Sequence, residues 1–362
     1  MHTAGHNSLT DTTGRNAPLE HLPLLTLYLS ERCNSRCITC DYWRHGRFDM
    51  SPAAVARTLP TLRRLKTQLV LISGGEPLLN RQWPEIARLL AGDGLKLWLL
   101  TSGLALAKHA PQVAQLFDAV TVSLDGTSAA TYAAIRGVDA FDKVCQGVRA
   151  AADVGVPTSL RVTLQRTNYR ELPGFVDLAR RLGAWQLSFL AVDVANPHAF
   201  ARTDDFQAGL ALTQEDLPVF AALVERLIRE HATDVASGFI AESPQKLRRL
   251  HDYFAAVCGC GPYPQVMCNA PEFSAVVDAR GRLRPCFFIA GPPEVPFGGD
   301  LEEALNHERM QALRRNIRAG QRAECGTCVC SMWRNLEIPG TLDFVAGLGR
   351  ARAGASARGL SP

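Results

Sequence analysis

The 362-residue chain has no apolar run long enough to span a bilayer, and its opening stretch, MHTAGHNSLTDTTGRNAPLEH, lacks the apolar core of a signal peptide. A cytoplasmic protein with no membrane partner is expected. No block of five or more Lys/Arg occurs and the formal net charge is only +4, so nucleic acid is not an expected partner either. No internal repeat is visible. The most specific shortage is of a fourth cysteine: SERCNSRCITCDYW, Ser30 to Trp43, carries Cys33, Cys37 and Cys40 and no further thiol nearby.

With 47% hydrophobic and 20% charged residues the composition is that of a globular chain with room for one large domain and a smaller one. Its eleven cysteines make a poor disulfide framework in a reducing compartment, where metal or redox chemistry is the better default. They fall in two groups, the first three and seven between Cys258 and Cys330, which suggests two metal sites. Cys145 stands alone in a helical stretch and reads as a small buried apolar residue.

Short apolar, β-branched runs alternate with stretches of helical period, the pattern of repeated βα units around a parallel sheet. Six strands are predicted: Leu24 to Ser30, Gln68 to Glu76, Lys96 to Gly103, Ala119 to Gly126, Thr158 to Gln165 and Trp185 to Val192. Between the first two, SPAAVARTLPTLRRL reads as a helix capped by Ser51 with Pro52 in its first turn. Each strand ends in polar or glycine-containing sequence, and in parallel barrels the carboxyl ends of the strands carry the site. Six strands do not close as eight do. The expected fold class is therefore α/β, an open partial (β/α)6 TIM-like barrel, followed by a small α+β domain. Residues 193–264 read as helices without a strand, EFSAVVDARGRLRPCFF as a hairpin turning at Ala279-Arg280-Gly281, and LEEALNHERMQALRRNI as one amphipathic helix.

A structural zinc site takes four ligands and leaves no vacancy, whereas a four-iron cluster held by three cysteines keeps one iron open. The C-x3-C-x2-C spacing directly after the first strand of a βα barrel resembles the signature of the radical S-adenosylmethionine (SAM) superfamily. The resemblance implies that Cys33, Cys37 and Cys40 hold a [4Fe-4S] cluster whose open iron chelates SAM and cleaves it to methionine and a 5′-deoxyadenosyl radical. It extends to other strand ends. Gly74-Gly75-Glu76-Pro77 resembles the motif that meets the cofactor's amino group, with Thr101, Ser102, Ser123 and Asp125 on its ribose and carboxylate side. Arg136 of YAAIRG would pair with the carboxylate, or else be a solvated helix residue. The residue before the third cysteine, commonly aromatic in the family, is Thr39 here; Tyr42 or Trp43 could take the adenine, and Tyr42 could equally be core.

The second cysteine group resembles the Twitch variant of the SPASM extension. Cys268 and Cys286 have seventeen residues between them, Gly281 lies five before the second, and Cys325-x2-Cys328 follows a helix. The resemblance implies one auxiliary [4Fe-4S] cluster on Cys268, Cys286, Cys325 and Cys328, closed by four thiolates and suited to electron transfer, with a second auxiliary cluster left open. A zinc site from the same four thiols is the competing reading. Cys258, Cys260 and Cys330 are unassigned; a thiol at 258 or 260 facing the barrel mouth could return a hydrogen atom to a substrate radical, as in some radical epimerases. The expected divisions are a flexible N-terminus 1–22, the radical SAM barrel 23–192, a helical bridge 193–264, the auxiliary domain 265–335 and a loose tail 336–362.

The leading expectation is an oxidoreductase that dehydrogenates a small-molecule or peptide substrate, served by a low-potential donor such as flavodoxin or ferredoxin. Alternatives are an epimerase, a peptide or cofactor maturase, and a non-enzymatic iron-sulfur or zinc module. Against a molybdenum-cofactor GTP cyclase stand the different order of auxiliary cysteines and the ending ARGLSP. Against a peptide maturase with a fused leader-binding domain stand the roughly twenty residues before the first strand.

Overall fold

The computed structural model describes residues 18–196, 199–202, 208–291 and 300–335. The expected N-terminal arm up to residue 17 and the tail from 336 lie outside them. Among the described residues no helix is long and apolar enough to cross a membrane.

The six predicted runs form β1 (Leu24–Ser30), β2 (Leu69–Gly74), β3 (Lys96–Thr101), β4 (Ala119–Ser123), β5 (Thr158–Leu164) and β6 (Gln186–Ala191), all parallel. Amphipathic helices such as Trp83–Gly92, Phe141–Asp153 and Leu172–Arg181 cover the outside. Both faces of each strand are thereby buried, which is why the strands read as continuous apolar runs. The sheet runs in the order β6-β5-β4-β3-β2-β1 and does not close, the partial barrel expected.

It also runs on. The predicted hairpin is β7 (Ser274–Val277) and β8 (Leu283–Arg284), and β7 pairs in parallel with β1, Leu24 opposite Ser274 and Leu27 opposite Val277. The C-terminal hairpin is thus the seventh and eighth strand of the barrel sheet, covering the edge that β1 would otherwise expose.

Two single helices of the sequence reading are each two in the structure. Pro60 ends the first, since proline lacks the N–H that would continue it; Pro52–Ala56, capped by the Ser51 side chain, is followed by Leu59–Arg64. His307, with extended ψ of 143°, separates Leu301–Asn306 from Glu308–Arg318 and caps the latter through its ring. The bridge is helical as expected, with Leu217–Glu230 and Pro244–Val257 as its main helices. Among its described residues the one strand-like contact is Ile240 beside Leu187 of β6.

Candidate active site and a second cysteine cavity

The loop after β1 is held at both ends. The Ser30 hydroxyl donates to Asp49 at 2.7 Å and accepts the Arg32 N–H, while Arg32 itself pairs with Asp49. Farther on, Arg36 N–H and Ile38 N–H donate to the carbonyls of Arg136 and Ile135 at 2.9 and 3.0 Å, strapping the cysteine loop onto the C-terminus of the helix Ala129–Arg136. Gly137 makes that approach possible: it ends the helix at φ 67°, and a Cβ there would stand 2.3 Å from the Arg36 carbonyl oxygen.

The strap brings Cys33, Cys37, Cys40 and Arg136 to one cavity at the carboxyl ends of the strands. Of the other residues singled out from sequence, Tyr42, Gly74, Gly75, Thr101, Ser102 and Ser123 also line it, as do both Thr39 and Trp43. Gly74 and Gly75 pass tight against the cysteine loop, where a Cβ would come 2.5 and 2.4 Å from the Ser30 and Arg32 carbonyl oxygens.

Glu76 and Asp125 stand behind the cavity wall. Glu76, fully buried, accepts from the Thr101 hydroxyl (2.8 Å), Ser102 N–H (2.7 Å) and Leu78 N–H (3.1 Å), joining the ends of β2 and β3. Asp125 accepts from Arg136 Nη1 at 3.0 Å and Thr163 N–H at 2.7 Å. Their carboxylates therefore orient the residues that face the cavity, because their oxygens are taken up by those bonds.

Sequence reasoning missed Thr163 and Leu190 to Asp193 at the ends of β5 and β6, together with Phe200, Arg202, Phe288 and Val329. The first group could have been read from strand ends alone. The last four reach the cavity from irregular segments and carry no local signal.

The electrostatics describe a thiol trio awaiting positive charge. Burial pushes Cys33 up to about 11 and Cys40 up to about 12 and raises Cys37, neighbouring thiols add to the first two, and Arg136 pulls all three down. As thiolates they need a cation among them, which a four-iron cluster supplies. Three residues that line the cavity carry buried polar atoms without hydrogen-bond partners: Ser35 Oγ, Trp43 Nε1 and Arg136 Nε. The residues present fit a cluster with a polar cofactor beside it.

Residues 27–179 match the sequence profile of the Radical SAM superfamily. That segment, from within β1 into the helix Leu172–Arg181, is similar to the radical SAM superfamily. SAM and the [4Fe-4S] cluster that cleaves it are the cofactors of this family. Among relatives, a protein named probable GTP 3′,8-cyclase from Saccharolobus islandicus is 32% identical over 187 residues, 50% of this chain and 59% of that protein. One of the same name from Methanococcus maripaludis is 29% identical over 165 residues, 44% of this chain and 55% of its own. The match thus spans less than two thirds of these relatives. In fold, Streptococcus suis SuiB bound to S-adenosylmethionine superposes with a TM-score of 0.62 at 15% identity, covering 87% of this chain and 73% of SuiB. Native anSMEcpe with bound AdoMet and Cp18Cys peptide gives a TM-score of 0.60 at 16% identity, covering 93% of this chain and 97% of that one.

A second, mainly apolar cavity lies beneath the hairpin, lined by Cys268, Cys286, Cys325 and Cys328, and also by Cys330. Burial pushes Cys286, Cys325 and Cys330 up to about 11 and raises Cys328 further, with the other thiols of the group adding to each. Asn269 clamps the segment that follows, bonding Met332 O through its N–H and both backbone groups of Arg334 through its side chain. Among the described residues no three His, Cys, Asp or Glu side chains are gathered tightly enough to hold a single metal ion. Cys258 and Cys260 line neither cavity. The Cys258 thiol donates to Leu212 O at 3.1 Å and Cys260 is exposed, so neither stands where the hydrogen-donor alternative would have it. Cys145 is buried in the core as expected.

Proposed function

We propose that this chain is a radical SAM oxidoreductase whose second cysteine cavity, of SPASM/Twitch type, carries an auxiliary [4Fe-4S] cluster. The observation that carries this reading is the thin wall between the cavities. Phe288 lines both, and in the run Cys328-Val329-Cys330 the middle residue lines the first cavity while its neighbours line the second.

On this reading Cys33, Cys37 and Cys40 hold the first cluster and Cys268, Cys286, Cys325 and Cys328 are the expected holders of the second. Gly74 and Gly75 leave backbone exposed to the cofactor's amino end. Arg136, fixed by Asp125, would pair with its carboxylate; Ser102 and Ser123 would offer hydroxyl oxygens to the ribose side, which Thr101 lines with its O–H given to Glu76, and Tyr42 or Trp43 would pack on the adenine. Bound there, the clusters supply an electron for cleavage of SAM at the first and an acceptor for the substrate radical's electron at the second. For an alcohol substrate that chemistry would amount to removal of two hydrogens, leaving a carbonyl compound. A low-potential donor such as flavodoxin or ferredoxin would provide the first electron.

Iron and acid-labile sulfide, measured after anaerobic reconstitution, test the arrangement: about eight irons per chain, falling to about four in C33A/C37A/C40A, are expected. About four falling to none, with zinc in the C-terminal group, would remove the electron acceptor. Absence of any SAM cleavage under reduction would leave only a binding module. Reaction in deuterated water separates oxidation, with a product two hydrogens lighter, from epimerisation, which fixes solvent deuterium on carbon.

A second reading, cyclisation of a nucleotide, is favoured by the names of the relatives that match the barrel half. Consumption of GTP with SAM and reductant would establish it, whereas the oxidoreductase reading expects GTP to be returned unchanged.

A further inference from the structure

Five thiols line a cavity in which a four-iron cluster takes four. Three of them sit close together in sequence, Cys325, Cys328 and Cys330, and they are presented differently. Cys328 is the central one: its N–H donates to Cys325 O at 3.3 Å, and the Cys330 N–H donates to its sulfur at 3.4 Å. Cys325 and Cys330 flank it, three residues before and two after, and Cys268 lines the same cavity. With Val329 turned to the other cavity, Cys330 returns to the same side as Cys328.

Neither flank is locked into the sheet. Cys325 rides on the four-residue turn Ala323–Gly326, which buries none of its residues, and Cys330 lies in a stretch without helix or strand. Cys268 directly precedes Asn269, whose bonds to Met332 and Arg334 tie it to the segment just after Cys330, and Cys286 follows β8.

We propose that Cys330 is an alternative ligand of the auxiliary cluster: Cys268, Cys286 and Cys328 are constant, and the fourth position is filled by either Cys325 or Cys330. The proposal rests on the auxiliary-cluster reading above. It gives the site a spare thiolate that takes over when the other is removed by substitution.

The test uses the full chain carrying C33A/C37A/C40A, so that only the C-terminal site binds iron, with circular dichroism to check that each variant folds. After anaerobic reconstitution, C325A and C330A each retain about four irons per chain, and their reduced clusters give different EPR g-values because the fourth ligand differs. The triple-background C325A/C330A double variant loses the cluster or at least half its iron. Loss of iron in C325A equal to that of the double variant, with C330A unchanged, would show that Cys330 does not substitute. The converse would show Cys330 to be a fixed ligand. Full retention in the double variant would make both thiols dispensable, and each of these three results overturns the exchange. No iron in the parent with all five thiols intact overturns the auxiliary-cluster reading itself, a result distinguishable from the others.

Discussion

Of the two glycines that line the cavity, Gly75 is the more tightly constrained, backbone against backbone. A methyl group there meets the Arg32 carbonyl oxygen at 2.4 Å, and a carbonyl held by the β1–β2 junction has nowhere to retreat. Gly75→Ala should lower SAM affinity at least about tenfold, equivalent to about 1.4 kcal/mol, as measured by equilibrium binding to the reconstituted protein. Gly92→Ala is the control, because its added methyl meets nothing within 4 Å and should leave binding unchanged. Gly74-Gly75 was legible in sequence because glycine pairs after a strand mark close approach. That Glu76 would be spent on Thr101 and Ser102 was not, because a carboxylate's partners depend on which strand end lies beside it.

At the scale of elements, the helical bridge is fastened to the barrel through Asp216. Burial raises this carboxyl, but bonds from the Tyr169 hydroxyl (2.6 Å) and from Thr213 N–H (3.0 Å) and hydroxyl (2.8 Å), with Arg166 beyond, outweigh it and hold the pKa below the ordinary 3.8. Because the folded value lies below the unfolded one, the stabilisation is complete above the unfolded value and is lost as pH falls through the folded one. Asp216→Asn should therefore lower Tm at neutral pH, and the gap to wild type should narrow as the pH is taken from about 5 to about 3. A gap that stays constant over that range would show that the charge is not what fastens the bridge. Tyr169→Phe should cost about 1 kcal/mol by denaturant unfolding, the usual net worth of one such bond. The helices joined here were legible from period and caps. In other helices the breaks at Pro60 and His307 were only partly legible: Pro60 was visible in the sequence but lies inside an otherwise periodic run, and His307 has no breaker character of its own.

For the whole molecule, the pairing of β7 with β1 makes the barrel and the C-terminal hairpin one sheet. The turn of that hairpin is fastened as well, Arg280 reaching Glu31 of the cysteine loop through two bonds of 2.5 and 3.0 Å. A chain ending at Pro264 would leave β1 as an open apolar edge, and such edges associate. The truncated chain should be insoluble or lack a cooperative thermal transition, checked by size exclusion and circular dichroism. A soluble fragment that unfolds cooperatively would instead restore the independent domain expected from sequence. The same docking creates the wall of Phe288 and Val329 between the two cysteine cavities, so architecture and proposed electron path have one origin.

The sequence by itself determined the six barrel strands, the open parallel architecture and the first cysteine motif. These rest on side-chain period and on spacing within a few residues, which are local properties of the chain. Tertiary structure alone decided that β7 extends the barrel, that Glu76 and Asp125 stand behind the wall, and that Cys330 joins four other thiols while Cys258 and Cys260 join neither cavity. Each of these depends on which strand edge remains free once β1 has paired with β2, and on which way irregular segments turn as they cross the strand ends; periodicity along the chain carries no information about either.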